Sequence, residues 1–255
     1  MARLLSRLPS PTKDALREAR NRVLAITSYR GRDRYCPVCN KQSRKFRPYG
    51  IVKRDDAQCV HCGALERHRF LWLFLERNTD IFDTKQKRVL HVAPESCYEV
   101  RLKKQLGSAY LTSDLYSPSA MVKMDICDIH YDDESFDVIV CNHVLEHVPN
   151  DRMAMGELNR VLKKSGWAVL NVPITSDKTY EDPSIVTPQA RLAAFGQEDH
   201  VRRYGPDYLE RLRDTGFDVD VVFADSLVDE QLRVTMGLTR CGEIYYCRKA
   251  ALPTS

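Results

Sequence analysis

Two Cys-x-x-Cys pairs constrain this chain more tightly than any other local feature. Cys36-Pro37-Val38-Cys39 and Cys59-Val60-His61-Cys62 are separated by 19 residues, a spacing that belongs to four-thiolate zinc sites. Each knuckle presents two thiolates from a tight turn, and two knuckles complete a tetrahedron at about 2.3 Å from one ion. Lys41, Arg44, Lys45 and Arg47 lie between the knuckles, and nearby cations favour the thiolate form. Cys36, Cys39, Cys59 and Cys62 are therefore the expected ligands of a structural Zn2+, because a closed four-cysteine site leaves no position open for a substrate. His61 lies inside a knuckle, but four cysteines complete the site without it. A thioredoxin-like dithiol would need a βαβ setting that neither pair has. Cys97, Cys127, Cys141, Cys241 and Cys247 are scattered through apolar or mixed segments and read as small core residues or idle thiols. Nine cysteines, an odd number, in 255 residues do not resemble a disulfide scaffold.

Charge divides the chain as well. The net charge is only +4, but residues 1–78 carry +11 and residues 79–255 carry −7. A basic third of this kind suits an anionic partner or a solvated basic face. The first nine residues hold no hydrophobic stretch of signal-peptide length, so a cytoplasmic location is expected. The longest apolar run, Phe70 to Leu75, is six residues, whereas a membrane helix needs about 18, so no span is expected.

Four segments follow from these shifts. Residues 1–33 read as a basic helical leader, with Ser10 as cap, Pro11 at the first helical position and Leu16, Ala19, Val23 and Ile26 on one face. Residues 34–63 are the zinc module. Residues 64–86 are a connecting helix and linker, the helix over 64–78 having a broad apolar face. Residues 87–255 alternate between strands and helices. Strand-like runs at Arg88–Ala93, Tyr110–Ser113, Phe136–Asn142 and Trp167–Val172 are separated by helical segments near 97–106, 151–164 and 207–215, and two β-like runs close the chain. This alternation predicts an α/β fold, a doubly wound parallel sheet with helices on both faces.

The first strand, Val89-Leu90-His91-Val92-Ala93, runs into Pro94-Glu95-Ser96, and Ser96 with Glu99 has the spacing of a capping box. A strand–turn–helix of this kind is where nucleotide-fold cofactors bind. Asp114 follows at the end of the next strand, about 20 residues on, where a carboxylate can accept two hydrogen bonds from ribose hydroxyls.

Residues 87–223 resemble a class I S-adenosylmethionine-dependent methyltransferase with a type 11-like domain. The resemblance rests on Asp132-Asp133-Glu134-Ser135-Phe136-Asp137-Val138-Ile139-Val140, on Val144-Leu145-Glu146-His147-Val148, and on Glu157-Leu158-Asn159-Arg160-Val161-Leu162-Lys163-Lys164-Ser165-Gly166, in that order. It implies a Rossmann-like, seven-stranded methyltransferase sheet. It also implies that S-adenosylmethionine binds along His91, Ala93, Pro94 and Glu95, with Asp114 on the ribose. Asp125 would contact the adenine amino group, Leu115 and Ile126 would flank the ring, and Asn142 and His143 would line the floor near the methyl group. Two positions depart from the family's pattern. Ser165-Gly166 stands where Gly-Gly is usual, and Ala93-Pro94-Glu95 replaces a Gly-x-Gly turn, which narrows the positive-φ options that glycine supplies.

A long insertion opens at Pro173-Ile174 and contains Asp199-His200-Val201-Arg202-Arg203-Tyr204. Irregular segments over the carboxyl ends of strands are where ligands sit. A methyl acceptor must be oriented, and a hydroxyl or amine must lose a proton. His200 has the suitable side chain, with Asp199, His143 and Tyr204 as further candidates. Glu146 and His147 read as stabilisers of the strand–helix junction. The expected activity is methyl transfer, the insertion favouring a small-molecule or saccharide hydroxyl or amine. Ribosomal or transfer RNA, reached through the basic zinc module, is the alternative acceptor. A non-catalytic, zinc-anchored binding protein on the same fold is the alternative of a different class.

Overall fold

The computed structural model describes residues 23–24, 27–50 and 52–251. The leader helix expected around Ser10, Pro11, Leu16, Ala19 and Ile26 lies outside them. The described residues form two compact units, one comprising those up to Thr79 together with Ala224–Cys241, the other Asp80–Phe223 together with those from Gly242 on. Among the described residues no helix is long and apolar enough to cross a membrane.

The first unit begins with two short antiparallel hairpins. β1 (Arg34–Cys36) pairs with β2 (Lys41–Ser43), and β3 (Arg47–Tyr49) pairs with β4 (Arg54–Gln58). The turn between β1 and β2 holds Asn40 at φ 54°, a left-handed conformation that asparagine tolerates better than most residues. Helix α1 (Glu66–Asn78) follows, and Phe70 to Leu75 are all buried. A helix apolar on every side belongs in an interior, so the run of six is core.

Arg69 of α1 is fully buried, and only carbonyl oxygens accept its hydrogen bonds. Nε donates to Met236 at 2.6 Å, Nη1 to Ala57 at 2.9 Å and Ala64 at 2.8 Å, and Nη2 to Gly237 at 3.1 Å. Its guanidinium also lies 3.9 Å over the Phe46 ring. This fork gathers a hairpin, a knuckle, α1 and the segment 224–241 into one body. Residues 224–241 thus fold with the cysteine-bearing unit although they stand inside the 87–255 span in sequence order. Gly237 has φ 62°, and a Cβ there would meet Arg69 Nη2 and the Phe46 ring at 2.9 Å, so the fork requires glycine at that point.

The second unit is built on a seven-stranded sheet with spatial order β12-β13-β9-β8-β5-β6-β7. β5 (Val89–Val92), β6 (Tyr110–Asp114), β7 (Val122–Lys123), β8 (Phe136–Asn142) and β9 (Leu162–Asn171) are parallel. β12 (Phe217–Val222) and β13 (Ile244–Lys249) are the expected closing runs, but β13 is antiparallel to both of its neighbours. The sheet has the seven strands that the resemblance implies and is mixed, with β13 alone running against the parallel strands. β12 and β13 pair antiparallel along their whole length although the short helix Glu230–Thr235 lies between them in sequence. The chain reaches β13 directly from the 224–241 segment.

Val138 to Cys141 of β8 are buried on both faces of the sheet, as the continuous apolar run predicts for a central parallel strand. Leu90, Val92, Ile139, Cys141, Ala168 and Leu170 share a cluster with Ala154, Met155, Leu158 and Val161 of a helix over Asp151–Val161. His91, on the alternate face, stacks obliquely with Tyr98 of the helix Ser96–Leu106. The architecture is thus doubly wound and Rossmann-like. Ser96 is the first helical residue and Glu95, extended, precedes it without a side-chain cap. The capping box expected at Ser96 is not formed. Gly166, beside Ser165 where the second residue of a Gly-Gly pair would stand, is a steric necessity, since a Cβ would lie 2.6 Å from the Asp137 carbonyl oxygen.

Arg69→Ala leaves four buried carbonyls without their donor, and the first unit is expected to lose about 3–5 kcal/mol. Denaturant unfolding measures this. Arg69→Lys, with a single ammonium in place of the fork, recovers only part of the loss.

Candidate functional site

The strand order reverses between β5 and β8. From β5 the chain winds outward through β6 and β7, then returns to the other side for β8 and β9. Crevices at the carboxyl edge of such a switch point are where ligands bind in open α/β sheets. Two residues with a Cβ leave that edge in left-handed conformation: Ala93 after β5 at φ 47° and His143 after β8 at φ 54°. Ala93 therefore adopts the positive φ for which glycine is the usual residue. Its N–H donates to the Ser113 carbonyl at 2.7 Å, and His143 N–H donates to the Asn171 carbonyl at 2.8 Å. Each tight turn is anchored to an adjacent strand.

Residues expected to hold a cofactor gather at this edge. His91 is fully buried, with Nδ1 2.7 Å from the Tyr110 hydroxyl and Nε2 2.9 Å from Glu95 Oε2. It thus fixes Glu95 and the Ala93-Pro94-Glu95 turn from below. Asp114 Oδ1 accepts the N–H groups of Tyr116 and Ser117, both at 2.7 Å. Leu115 is half-buried beside it, Ile126 is buried, and the exposed Asp125 accepts Cys127 N–H at 2.8 Å. Asn142 Oδ1 accepts from Asn171 Nδ2 at 3.1 Å. Two buried polar atoms at this edge, Asn142 Nδ2 and Ser113 Oγ, have no partner among the described residues. Buried donors of this kind need an acceptor, so the edge fits a polar ligand.

The insertion crosses the same edge. β10 (Tyr180–Glu181) pairs with β11 (Arg202–Arg203), and between them a helix over Pro188–Phe195 begins with Thr187 as cap and proline in its first turn. Arg202, 3% exposed, donates Nη1 to the carbonyls of Leu145 and Val148 and Nη2 to that of Pro149, while Nε reaches Glu181 Oε2 at 2.9 Å. Arg211 joins Glu181 Oε1 at 2.8 Å to Asp151 Oδ2 at 2.9 Å. Tyr204 is fully buried and its hydroxyl donates to Asp151 Oδ2 at 2.7 Å. It belongs to this clamp, in contrast to the acid–base role for which it was a candidate. The clamp of Asp151, Glu181, Arg202 and Arg211 carries no motif that marks it in sequence.

Through the clamp, the residues around His200 meet the turn after β8. Val201 N–H donates to the Glu146 carbonyl at 2.9 Å. The His147 and His200 rings pack edge to face with centroids 4.6 Å apart. His147 Nδ1 lies 3.3 Å from Asp199 Oδ2, and His143 Nδ1 lies 3.3 Å from Glu146 Oε1. Three of the four expected catalytic residues, His200, Asp199 and His143, are thus brought together. Burial pushes the His200 pKa down from its ordinary value, Glu146 partly opposing it. Glu146 and His147 sit at the centre of this group. Their Glu-His pairing one turn beyond a buried strand was the available signal.

In the first unit the four cysteine sulfurs lie within 4.8 Å of one another. Cys36 Sγ is 3.7 Å from Cys62 Sγ, and Cys39 Sγ is 3.8 Å from Cys59 Sγ. A tetrahedron with bonds of about 2.3 Å has edges of about 3.8 Å, so the cluster has the size that one zinc ion requires. His61 Nε2 lies 3.1 Å from the Gln42 carbonyl and stands outside the cluster.

Residues 88–170 match the family model of the methyltransferase domain. No curated protein matches the chain. Among solved structures, an S-adenosylmethionine-dependent methyltransferase from Mesorhizobium loti is similar at 16% identity and TM-score 0.48, over 71% of this chain and 98% of that one. The 1,6-didemethyltoxoflavin-N1-methyltransferase of Burkholderia thailandensis, solved with S-adenosylhomocysteine, is similar at 14% identity and TM-score 0.49, over 73% and 78%. A SAM-dependent methyltransferase from Archaeoglobus fulgidus is similar at 18% identity and TM-score 0.44, over 69% and 91%.

Two outcomes test this geometry. Ala93→Gly relieves a left-handed alanine of about 1 kcal/mol while loosening the unfolded chain by a similar amount, so stability stays within about 1 kcal/mol. Ala93→Val puts a β-branched residue at the same φ and is expected to lose about 1–3 kcal/mol in denaturant unfolding. The second concerns pH. The Arg211 hydrogen bond, with Arg202, holds the Glu181 carboxyl down to about 2 against an ordinary 4.5. Its folded pKa lies below its unfolded one, so its stabilisation is complete above about pH 4.5 and is lost as pH falls toward 2. An acid titration of stability compares the parent with Glu181→Gln. The parent is expected to fall more steeply across that window, the two curves converging at its acid end.

Proposed function

We propose, taking as premise that residues 88–170 are a methyltransferase domain, that the chain transfers a methyl group from S-adenosylmethionine to a small-molecule or saccharide acceptor. The observation that carries this reading is the convergence, at one sheet edge, of the left-handed turns at Ala93 and His143 with the carboxylate of Asp114 and the unpartnered Asn142 Nδ2. When bound, S-adenosylmethionine supplies an electrophilic methyl carbon on a sulfonium. The protein's own residues do the rest. Ala93, Pro94 and Glu95, braced by His91, bring backbone close to the methionine part. Asp114, with Oδ1 committed to two backbone N–H groups, offers Oδ2 to the ribose diol. Leu115 and Ile126 flank the adenine, Asp125 accepts from its amino group, and Asn142 with His143 floors the pocket.

Methyl transfer is a displacement in line with the departing sulfur, so positioning the acceptor dominates. His143, Asp199 and His200 are the groups that would take the proton of a hydroxyl or amine. Cys36, Cys39, Cys59 and Cys62 hold a structural Zn2+ that closes the first unit. RNA remains the second reading, favoured by the basic first third, whose phosphate contacts would make binding fall steeply with salt.

Titration calorimetry with S-adenosylmethionine and S-adenosylhomocysteine tests the proposal. Binding in the micromolar range, weakened at least about tenfold in Asp114→Ala, is expected, a loss of about 1.4 kcal/mol or more. Folded protein that binds neither ligand would overturn it in favour of a binding protein on the same fold.

A further inference from the structure

We propose that Glu146, His147 and His200 form a second metal centre, for one divalent first-row transition ion, at the carboxyl end of β8. One donor atom from each of the three lies within 4.8 Å of the other two. Neighbouring donors around an ion with bonds of about 2.1 Å are about 3.0–3.4 Å apart, so an inward movement of under about 1 Å per side chain closes the shell.

Three further observations point to a ligand there. Glu146 is 2% exposed, and its Oε2 has no partner among the described residues. A buried carboxylate oxygen left without a donor is costly, and a cation satisfies it. His200, also buried at 6% exposure, brings an imidazole to the same point. Next, the donors have outer partners. Asp199 Oδ2 stands 3.3 Å from His147 Nδ1, and His143 Nδ1 stands 3.3 Å from Glu146 Oε1. Carboxylates behind metal-bound imidazoles and donors behind metal-bound carboxylates set their orientation. Finally, the frame is prepared in advance. The Val201–Glu146 backbone bond and the Arg202 fork on Leu145, Val148 and Pro149 hold the two ligand-bearing segments together without an ion.

The donor set selects the ion. Two imidazoles and one carboxylate suit manganese, iron, cobalt or zinc, whereas magnesium and calcium prefer oxygen alone. Three protein donors also leave coordination positions open, unlike the closed four-cysteine cluster. Here the inference rests on the methyl-transfer reading: an acceptor hydroxyl or amine would occupy such an open position. His200 then serves as a ligand, and His143 and Asp199 remain to receive the proton.

The test uses the full chain, with its zinc content measured, titrated with Mn2+ by calorimetry and by the electron paramagnetic resonance of free Mn2+. This ion disfavours thiolates and so leaves the cysteine cluster aside. One Mn2+ per chain is expected, weakened at least about tenfold in His200→Ala and in the near-isosteric Glu146→Gln. Unchanged zinc content and circular dichroism establish that the variants are folded. Absence of Mn2+ and Co2+ uptake beyond the cysteine cluster, or equal uptake in both variants, overturns the proposal. S-adenosylhomocysteine binding on the same samples separates the two readings. Metal uptake without it leaves the centre standing and removes methyl transfer, and its binding without metal uptake does the reverse.

Discussion

Everything at the candidate site depends on β8 lying between β5 and β9 as a parallel strand. Val138, Ile139, Val140 and Cys141 are buried on both faces, so this strand cannot slip without moving apolar side chains to water. Its register brings Asn142 opposite Asn171, and Cys141 opposite Val92. The chain must therefore leave β5 and β8 at the same edge and within a narrow crevice. Left-handed turns at Ala93 and His143 are the consequence. Each is a conformation disfavoured by about 1–2 kcal/mol for a residue with a Cβ, and each persists because an adjacent strand accepts its N–H. Strain concentrated at one edge of a rigid sheet is common where ligands bind.

Two buried arginines perform the same physical task in the two units. Arg69 in the first and Arg202 in the second direct their guanidinium donors mainly at backbone carbonyls of irregular segments. Loops that pass over a core expose carbonyls that no ladder satisfies. A planar fork with five donors gathers several of them at once, which a lysine cannot do. Arg69 thereby joins 224–241 to the cysteine-bearing body, and Arg202 holds the His200 segment against the Glu146 turn. Each arginine fixes a stretch of short turns and connecting backbone against its own unit.

Much of this was legible in the residues. β8 was read at its observed limits, because seven apolar-rich residues bounded by polar ones have few alternatives. The clustering of four cysteines followed from spacing, since two knuckles of fixed geometry can bring their sulfurs to one point. Asp114 at the end of β6 followed from its distance along a strand–turn–helix. By contrast, Ser96 was read as a cap, yet the helix begins on it. Glu95 precedes it as an extended residue whose carboxylate is engaged by His91. Tyr204 carried the chemistry of a proton donor in sequence, but its hydroxyl is used by Asp151 in the core.

The sequence by itself determined the α/β alternation, the central strands and the cysteine cluster. These depend on short-range periodicity and on spacing along the chain, which local chemistry encodes directly. Only the tertiary structure decided that β13 runs antiparallel, that residues 224–241 fold with the first unit, and that Glu146, His147 and His200 meet. Each of those facts joins residues apart in sequence, through a backbone ladder for β13 and through buried polar bonds for the other two. No pattern within a window of the chain records such bonds, because their strength comes from desolvation in the folded interior.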